Sequence, residues 1–192
     1  GSGPVSPRGE TMPEPVVHVA GLGEVAPEAY YATRYAVLRA PLGRPPGSER
    51  LPDDDQALHV WVEVDGTVVA VARGHLIEGD GAAADHSGPG AAKIPSFSPL
   101  RHAAPDLRPA MQVRQMGVLE PWRGTGLGAL ALDHLLRASV RVWGAKTGWL
   151  QAREAAVGFY ARMGWEAFDP PYSIEGVGPH RSMWRSLGDL FD

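Results

Sequence analysis

Apolar residues recur along this chain at two spacings, and the switches between them mark out its elements. From Pro27 to Leu38 the side chains of Tyr31, Tyr35 and Leu38 share one helical face. Pro27 falls in the first turn, where a missing N–H costs nothing. Pro41 ends that helix. Leu58 to Val64 is β-branched and aromatic, and Asp65-Gly66 is a strong two-residue hairpin signal before a returning strand from Thr67 to Ile77. Ala110 to Leu119 predicts a further strand, with Met111, Val113, Gln115 and Gly117 alternating against Gln112, Arg114, Met116 and Val118. Beyond Pro121 the spacing turns helical. Leu127, Leu130, Ala131, Leu135, Ala138 and Val142 form a stripe on a helix that reaches about Trp143, and Gly144 suits its C-cap. Trp149-Leu150-Gln151 reads as a short buried strand, and Arg153 to Arg162 as a helix closed by Gly164. Trp165 to Phe168 and Arg181 to Arg185 read as two final strands.

This order predicts an α/β domain, a mixed sheet with helices on its faces. Two stretches fall outside it. Residues 1–15 are rich in Pro, Gly and Ser and read as a disordered tail. Residues 78–109, rich in Gly, Ala, Pro and Ser, read as a long loop inserted in a domain that spans 16–188. A loop of that length is usually functional or disordered.

Composition narrows the function. With 44% hydrophobic and 21% charged residues, the 192-residue chain has apolar material for a real core. A net charge of -4 lacks the basic surface of a dedicated nucleic-acid binder. No apolar stretch approaches the roughly 20 residues that span a bilayer. Cysteine is absent, which excludes a thiol nucleophile and a Cys-ligated zinc. These features fit a cytoplasmic protein that engages neither nucleic acid nor membrane. His75, His86 and His102 lack the tight spacing of metal ligands, so no metal site is expected.

The candidate chemistry lies in Arg123-Gly124-Thr125-Gly126-Leu127-Gly128, which follows a strand and opens a helix. A helix N-terminus presents unpaired N–H groups and partial positive charge, so it attracts phosphate. Glycine lets a pyrophosphate approach the backbone closely, and Arg123 adds a permanent cation. A dinucleotide fingerprint needs Gly-x-Gly-x-x-Gly and a later acid, and a P-loop needs Gly-Lys-Ser/Thr. Here the glycines are spaced Gly-x-Gly-x-Gly, residues 144–148 contain no acid, and Leu127-Gly128-Ala129 replaces the P-loop ending.

The pattern Arg-x-x-Gly-x-Gly/Ala, carried by Arg123, Gly126 and Gly128, resembles the acyl-CoA signature of the GNAT superfamily of N-acetyltransferases. Upstream, Gln115-Met116-Gly117-Val118-Leu119-Glu120-Pro121 resembles that family's central strand and following loop. Downstream, the segment from Ala156 to Trp165 resembles its late helix and turn, with Trp165 for the usual Phe. The resemblance is best over 111–165. It implies acyl transfer, acetyl being expected, from acyl-CoA to a primary amine within a ternary complex. The amine belongs to a small molecule or a peptide.

Carried residue by residue, the resemblance implies that Arg123 to Gly128 hold the pyrophosphate. Met116, Gly117 and Val118 would pair with the pantetheine arm, and the Val118 N–H would face the thioester oxygen. Tyr160 matches the family's general-acid tyrosine and also borders the cofactor. Arg153 stands where many members carry a cofactor-contacting Asn, and could instead reach a phosphate or the substrate. For the base, His180 titrates near neutrality, and His180 with Met183 resembles a His-x-x-Met ending of some subgroups. Glu120 and Glu63 could act through water. On the substrate side, the segment around Arg39, Pro41, Leu42 and Gly43 resembles part of some bacterial members, and Arg39 could bind a carboxylate. Homodimers are a habit of the family.

Two other readings compete. A non-catalytic acyl-CoA-binding or sensing domain would keep the Arg123 to Gly128 turn without the acid and base. A nicotinamide-dependent enzyme would bind NAD, against the glycine spacing.

Overall fold

The computed structural model describes residues 13–77 and 105–191. The expected tail lies outside them apart from 13–15, and the expected loop apart from 105–109. Seven strands form one mixed sheet in the order β1-β2-β3-β4-β5-β7-β6. They are β1 (Val16–Ala20), β2 (Leu58–Val64), β3 (Thr67–Ile77), β4 (Ala110–Val118), β5 (Thr147–Arg153), β6 (Glu166–Ile174) and β7 (Gly178–Ser186). Three helices accompany them: α1 (Glu28–Leu38), α2 (Leu127–Trp143) and α3 (Val157–Arg162). Backbone contacts cluster in two units, residues 1–74 with 114–138, and residues 75–113 with 139–192.

In the first unit, β1 and β2 are antiparallel from Val16↔Glu63 to Ala20↔His59, and β2 returns as β3 through Asp65 and Gly66. Both turn residues have positive φ, 52° and 81°, the geometry that makes Asp-Gly a hairpin turn. α1 begins at its N-cap, Pro27. Its buried residues are Tyr30, Thr33 and Arg34, one helical step away from the expected Tyr31, Tyr35 and Leu38 face. The reason is polar: Thr33 Oγ1 donates to the Val68 carbonyl at 2.9 Å, and Tyr30 and Arg34 enter a buried network. Strand β1 was not expected at all.

In the second unit, β4 and β5 are parallel from Ala110↔Thr147 to Gln112↔Trp149. β5 pairs with β7 along its whole length, from Thr147↔Ser186 to Arg153↔His180. Trp149 sits buried at its centre, edge-on to Phe168 and stacked on Trp184 at 5.6 Å. Its indole N–H donates to Thr147 Oγ1 at 2.7 Å. Three lengths differ from the sequence reading. The last two strands run to nine residues each, because a register shift between Phe168 and Tyr172 lets β6 bend and continue. The expected helix from Arg153 shortens to α3, since β5 extends to Arg153 and a 3₁₀ turn fills Glu154–Ala156.

α2 matches its expected bounds. It buries Leu127, Ala131, Leu135 and Ala138 as anticipated, and Leu132, Leu136 and Ser139 beside them, while Val142 is exposed. Gly144 follows at φ 64°, the left-handed stop after a helix.

Candidate active site

Two stretches of the first unit build the phosphate end of the candidate site. β4 gives way to a 3₁₀ turn, Glu120–Trp122, and then to Gly124 and Gly126 at φ 79° and 86°. A side chain would be strained at either position. An added Cβ at either glycine would meet nothing within 4 Å, so the space above the turn is open to an approaching anion. Thr125 Oγ1 donates to the Trp122 carbonyl and holds the turn's shape. Arg123 is exposed, its Nε donating weakly to the Val118 carbonyl at 3.4 Å. Leu127 begins α2 and is buried together with Gly128, anchoring the helix start. The donors and charge therefore fit a pyrophosphate: first-turn N–H groups, two left-handed glycines and a mobile cation.

The strand before this turn is not a regular ladder. Gln115 has φ 40°, a left-handed conformation uncommon for a non-glycine residue, so the simple alternation breaks there. Its side-chain oxygen accepts from Arg73 Nη1 at 2.8 Å, which pins the break. Two residues on, an added Cβ at Gly117 would meet Val37 Cγ2 at 2.7 Å. That position thus admits α1 close to β4. Leu119 N–H then donates to the Val69 carbonyl at 2.9 Å.

Beneath lies a charged network that sequence reading missed. Arg34 Nη2 reaches both Asp54 oxygens, at 3.1 and 3.2 Å. Arg73 pairs with Asp53 and, through Nε, with Asp54 at 3.0 Å. Arg34 also donates to the Tyr30 hydroxyl at 3.2 Å. His59 Nε2 donates to the Asp54 carbonyl at 2.7 Å, so its Nδ1 accepts from Tyr30 at 2.7 Å. Burial lowers the His59 pKa and pushes that of Tyr30 up to about 12, which keeps both neutral. No spacing in the sequence points to this set, because its members come from α1, β2, β3 and the 3₁₀ turn Asp54–Gln56.

Glu120 is exposed within its 3₁₀ turn. Glu63 is held elsewhere: it lies on β2, 3.6 Å from His18 Nε2 on β1, with β3 between it and β4. The fold does not bring it to the phosphate turn. Arg39 caps the C-terminus of α1, and burial, then Arg34, lowers its pKa.

The second unit holds the proton-transfer candidates. His180 lies on β7, 5% exposed, opposite Arg153 of β5 and Tyr172 of β6. Its ring stacks on Tyr172 with centroids 6.1 Å apart. Nδ1 lies 2.7 Å from the Gly178 carbonyl oxygen. A carbonyl only accepts, so Nδ1 carries the proton and Nε2 keeps a basic lone pair. Burial pushes the His180 pKa below its ordinary value, and the nearby Arg153 adds to this. Tyr160 lies on α3, half-buried, edge-on to Phe159 at 5.1 Å and to Trp165 at 6.0 Å. Burial pushes its pKa up to about 12, so its hydroxyl is protonated across the neutral range.

A mixed sheet with a glycine turn opening a long helix defines an acyltransferase-type fold, and comparison with known proteins gives it a family. Residues 28–165 match the model of the Acetyltransferase (GNAT) family, and the chain belongs to that family. It is accordingly an enzyme of the acyl-CoA-dependent N-acyltransferase class. The uncharacterized N-acetyltransferase YitI of Bacillus subtilis (strain 168) is 24% identical over 163 residues, covering 85% of this chain and 93% of its own. Escherichia coli ElaA has a similar structure, with a TM-score of 0.63 at 20% identity over 90% of this chain and 99% of its own. An acyl-CoA N-acyltransferase from Pseudomonas aeruginosa matches with a TM-score of 0.60, 20% identity and the same coverages. Among the described residues no helix is long and apolar enough to cross a membrane.

Proposed function

We propose that this enzyme transfers an acetyl group from acetyl-CoA, or another acyl-CoA, directly to the primary amine of a small molecule or peptide. The observation that carries this reading is the turn from Arg123 to Gly128. Its left-handed glycines lie under open space at the start of a 17-residue helix. When bound, acyl-CoA supplies an activated thioester carbonyl.

The chain's own groups then have distinct tasks. The first-turn N–H groups and Arg123 hold the pyrophosphate. Met116, Gly117 and Val118 lie beyond the registered pairs of β4 with β5, which supports offering their backbone to the extended pantetheine arm. The Val118 N–H is the donor to the carbonyl oxygen as charge develops there. His180 Nε2 takes the proton that the attacking ammonium must lose. The Tyr160 hydroxyl holds a proton for the departing thiolate. Glu120 is a second candidate base acting through water, and Arg153 a second cation for phosphate.

Isothermal calorimetry with CoA, acetyl-CoA and NAD tests the reading, on the native protein and on Gly126→Asp. Asp places a side chain and a negative charge in the cradle, at a backbone φ of 86° that disfavours it. CoA heat on the native protein that Gly126→Asp abolishes is the expected result. Native, folded protein that takes up neither CoA nor acetyl-CoA would refute the reading.

A further inference from the structure

We propose that Arg39 and Arg114 form an anion-recognition subsite that selects an amine acceptor carrying a carboxylate. This deepens the acyl-transfer reading above and rests on it.

The argument begins with a charge imbalance inside the first unit. Arg34 and Arg73 are both 0% exposed and have their acidic partners: Asp54 serves both, and Asp53 serves Arg73. Tyr30 and Gln115 take further donors from them. Arg39 and Arg114 sit in the field of these two without a matching pair of acids. Around Arg39, the like charges of Arg34, Arg44 and Arg73 are opposed by Glu49. Around Arg114, the like charges of Arg73 and Arg39 are opposed by Asp53. Five guanidinium groups thus face three carboxylates, Asp53, Asp54 and Glu49.

Both arginines are also taken out of water. The Arg39 Nε is buried and has no hydrogen-bond partner. Arg114 is only partly exposed, and burial followed by the Arg73 charge brings its pKa down to about 10. A buried guanidinium without a full complement of acceptors is costly, and a planar carboxylate is the anion its fork of donors matches.

Their position agrees with an acceptor site. Arg39 follows Val37, the residue pressed against Gly117, by two positions. Arg114 precedes Gly117 on β4 by three. Both side chains therefore spring from backbone around Met116 to Val118, the stretch assigned above to the acyl arm. The 3₁₀ turn Ala40–Leu42 and the left-handed Gly43 fold the chain back after Arg39, with the Arg44 N–H donating to the Arg39 carbonyl at 3.0 Å. The α1 C-terminus is thereby held in place.

The test is steady-state acetylation of matched acceptors, amino acids and ω-amino acids against their amides, with acetyl-CoA as donor. The native enzyme is expected to favour the carboxylate member by about ten- to hundredfold in kcat/KM, the worth of a hydrogen bond to a charged group. Arg39→Gln and Arg114→Gln should each erase most of that preference through the acceptor KM, with the acetyl-CoA KM unchanged, and Arg39→Lys should restore part of it. Calorimetry with the N-acetylated acids and their amides repeats the comparison without turnover, and Arg114→Gln carries the test if Arg39→Gln does not fold. Equal use of acids and amides by the native enzyme would overturn this inference and leave the acyl-transfer reading intact. A raised acetyl-CoA KM in Arg39→Gln would overturn it too, assigning the arginines to the donor's phosphates. Native protein that neither binds CoA nor acetylates any amine would refute the underlying reading, and this subsite with it.

Discussion

A Cβ on Gly117 would lie 2.7 Å from Val37 Cγ2 and 3.1 Å from Val37 Cβ. This contact sets how closely α1 approaches β4. Gly117→Ala should therefore overpack the interface and cost about 1–3 kcal/mol. For a chain of this size that lowers Tm by roughly 2–12 °C. Adding Val37→Ala should recover part of the loss, a coupling that thermal unfolding of the two single variants and the double variant would reveal. A Gly117→Ala protein that melts with the native one would show that the helix does not sit so close.

Asp54 is the shared acceptor of Arg34 and Arg73, whose side chains are 1% and 0% exposed. Asp54→Asn leaves two buried guanidiniums short of charge, and removing one partner of a buried ion pair costs about 3–5 kcal/mol. Urea unfolding should show that loss in the midpoint. An unchanged midpoint would mean that water already reaches the pair.

If His180 is the base, its Nε2 must be unprotonated in the working enzyme. Burial lowers its pKa. The log of kcat/KM should then rise with pH along an acid limb centred below about 6.5, the ordinary histidine value, and level off above it. His180→Gln should lower kcat/KM by about 10²–10⁴-fold and remove the limb. A limb that survives in the variant would transfer the role to another group, Glu120 first.

Stability carries a separate acid dependence. His59 and His180 both have folded pKa values below the ordinary one. Their contribution is complete above about pH 6.5 and is lost as pH falls through the folded values, because the unfolded chain binds protons that the fold refuses. Circular dichroism at each pH of the activity profile separates this effect from catalysis.

Tyr160 has a pKa pushed up to about 12. Tyr160→Phe should cut kcat by about 10²–10⁴-fold while the acid limb stays in place. The native enzyme should show no alkaline limb from this group below about pH 10. Full activity in the Phe variant would reduce Tyr160 to an aromatic packed under α3.

The hairpin and α2 were legible because their signals are local. Asp65-Gly66 supplies two residues that tolerate positive φ, and the apolar stripe of α2 repeats within one stretch of chain. β1 escaped notice because Val16 to Ala20 is only five residues long, and what makes it a strand is its pairing with residues 59–63. The same holds for the last two strands, which lengthen through mutual pairing and a bend at Asp169, φ 59°. The break at Gln115 left no trace in the alternation, since the bond that holds it comes from Arg73, 42 residues away.

The candidate site divides along the same line. Sequence alone determined the turn from Arg123 to Gly128, since a helix start that approaches an anion needs its glycines and cation contiguous in the chain. It also marked Tyr160 and His180, whose residue types suit proton transfer. Only the tertiary structure decided the His180 tautomer, the pairing of Glu63 with His18, and the network of Arg34, Asp54, Arg73 and Asp53. Each of these depends on what a side chain meets from a distant or differently folded segment. Backbone geometry is dictated by neighbours along the chain, whereas burial, charge balance and protonation are dictated by neighbours in space.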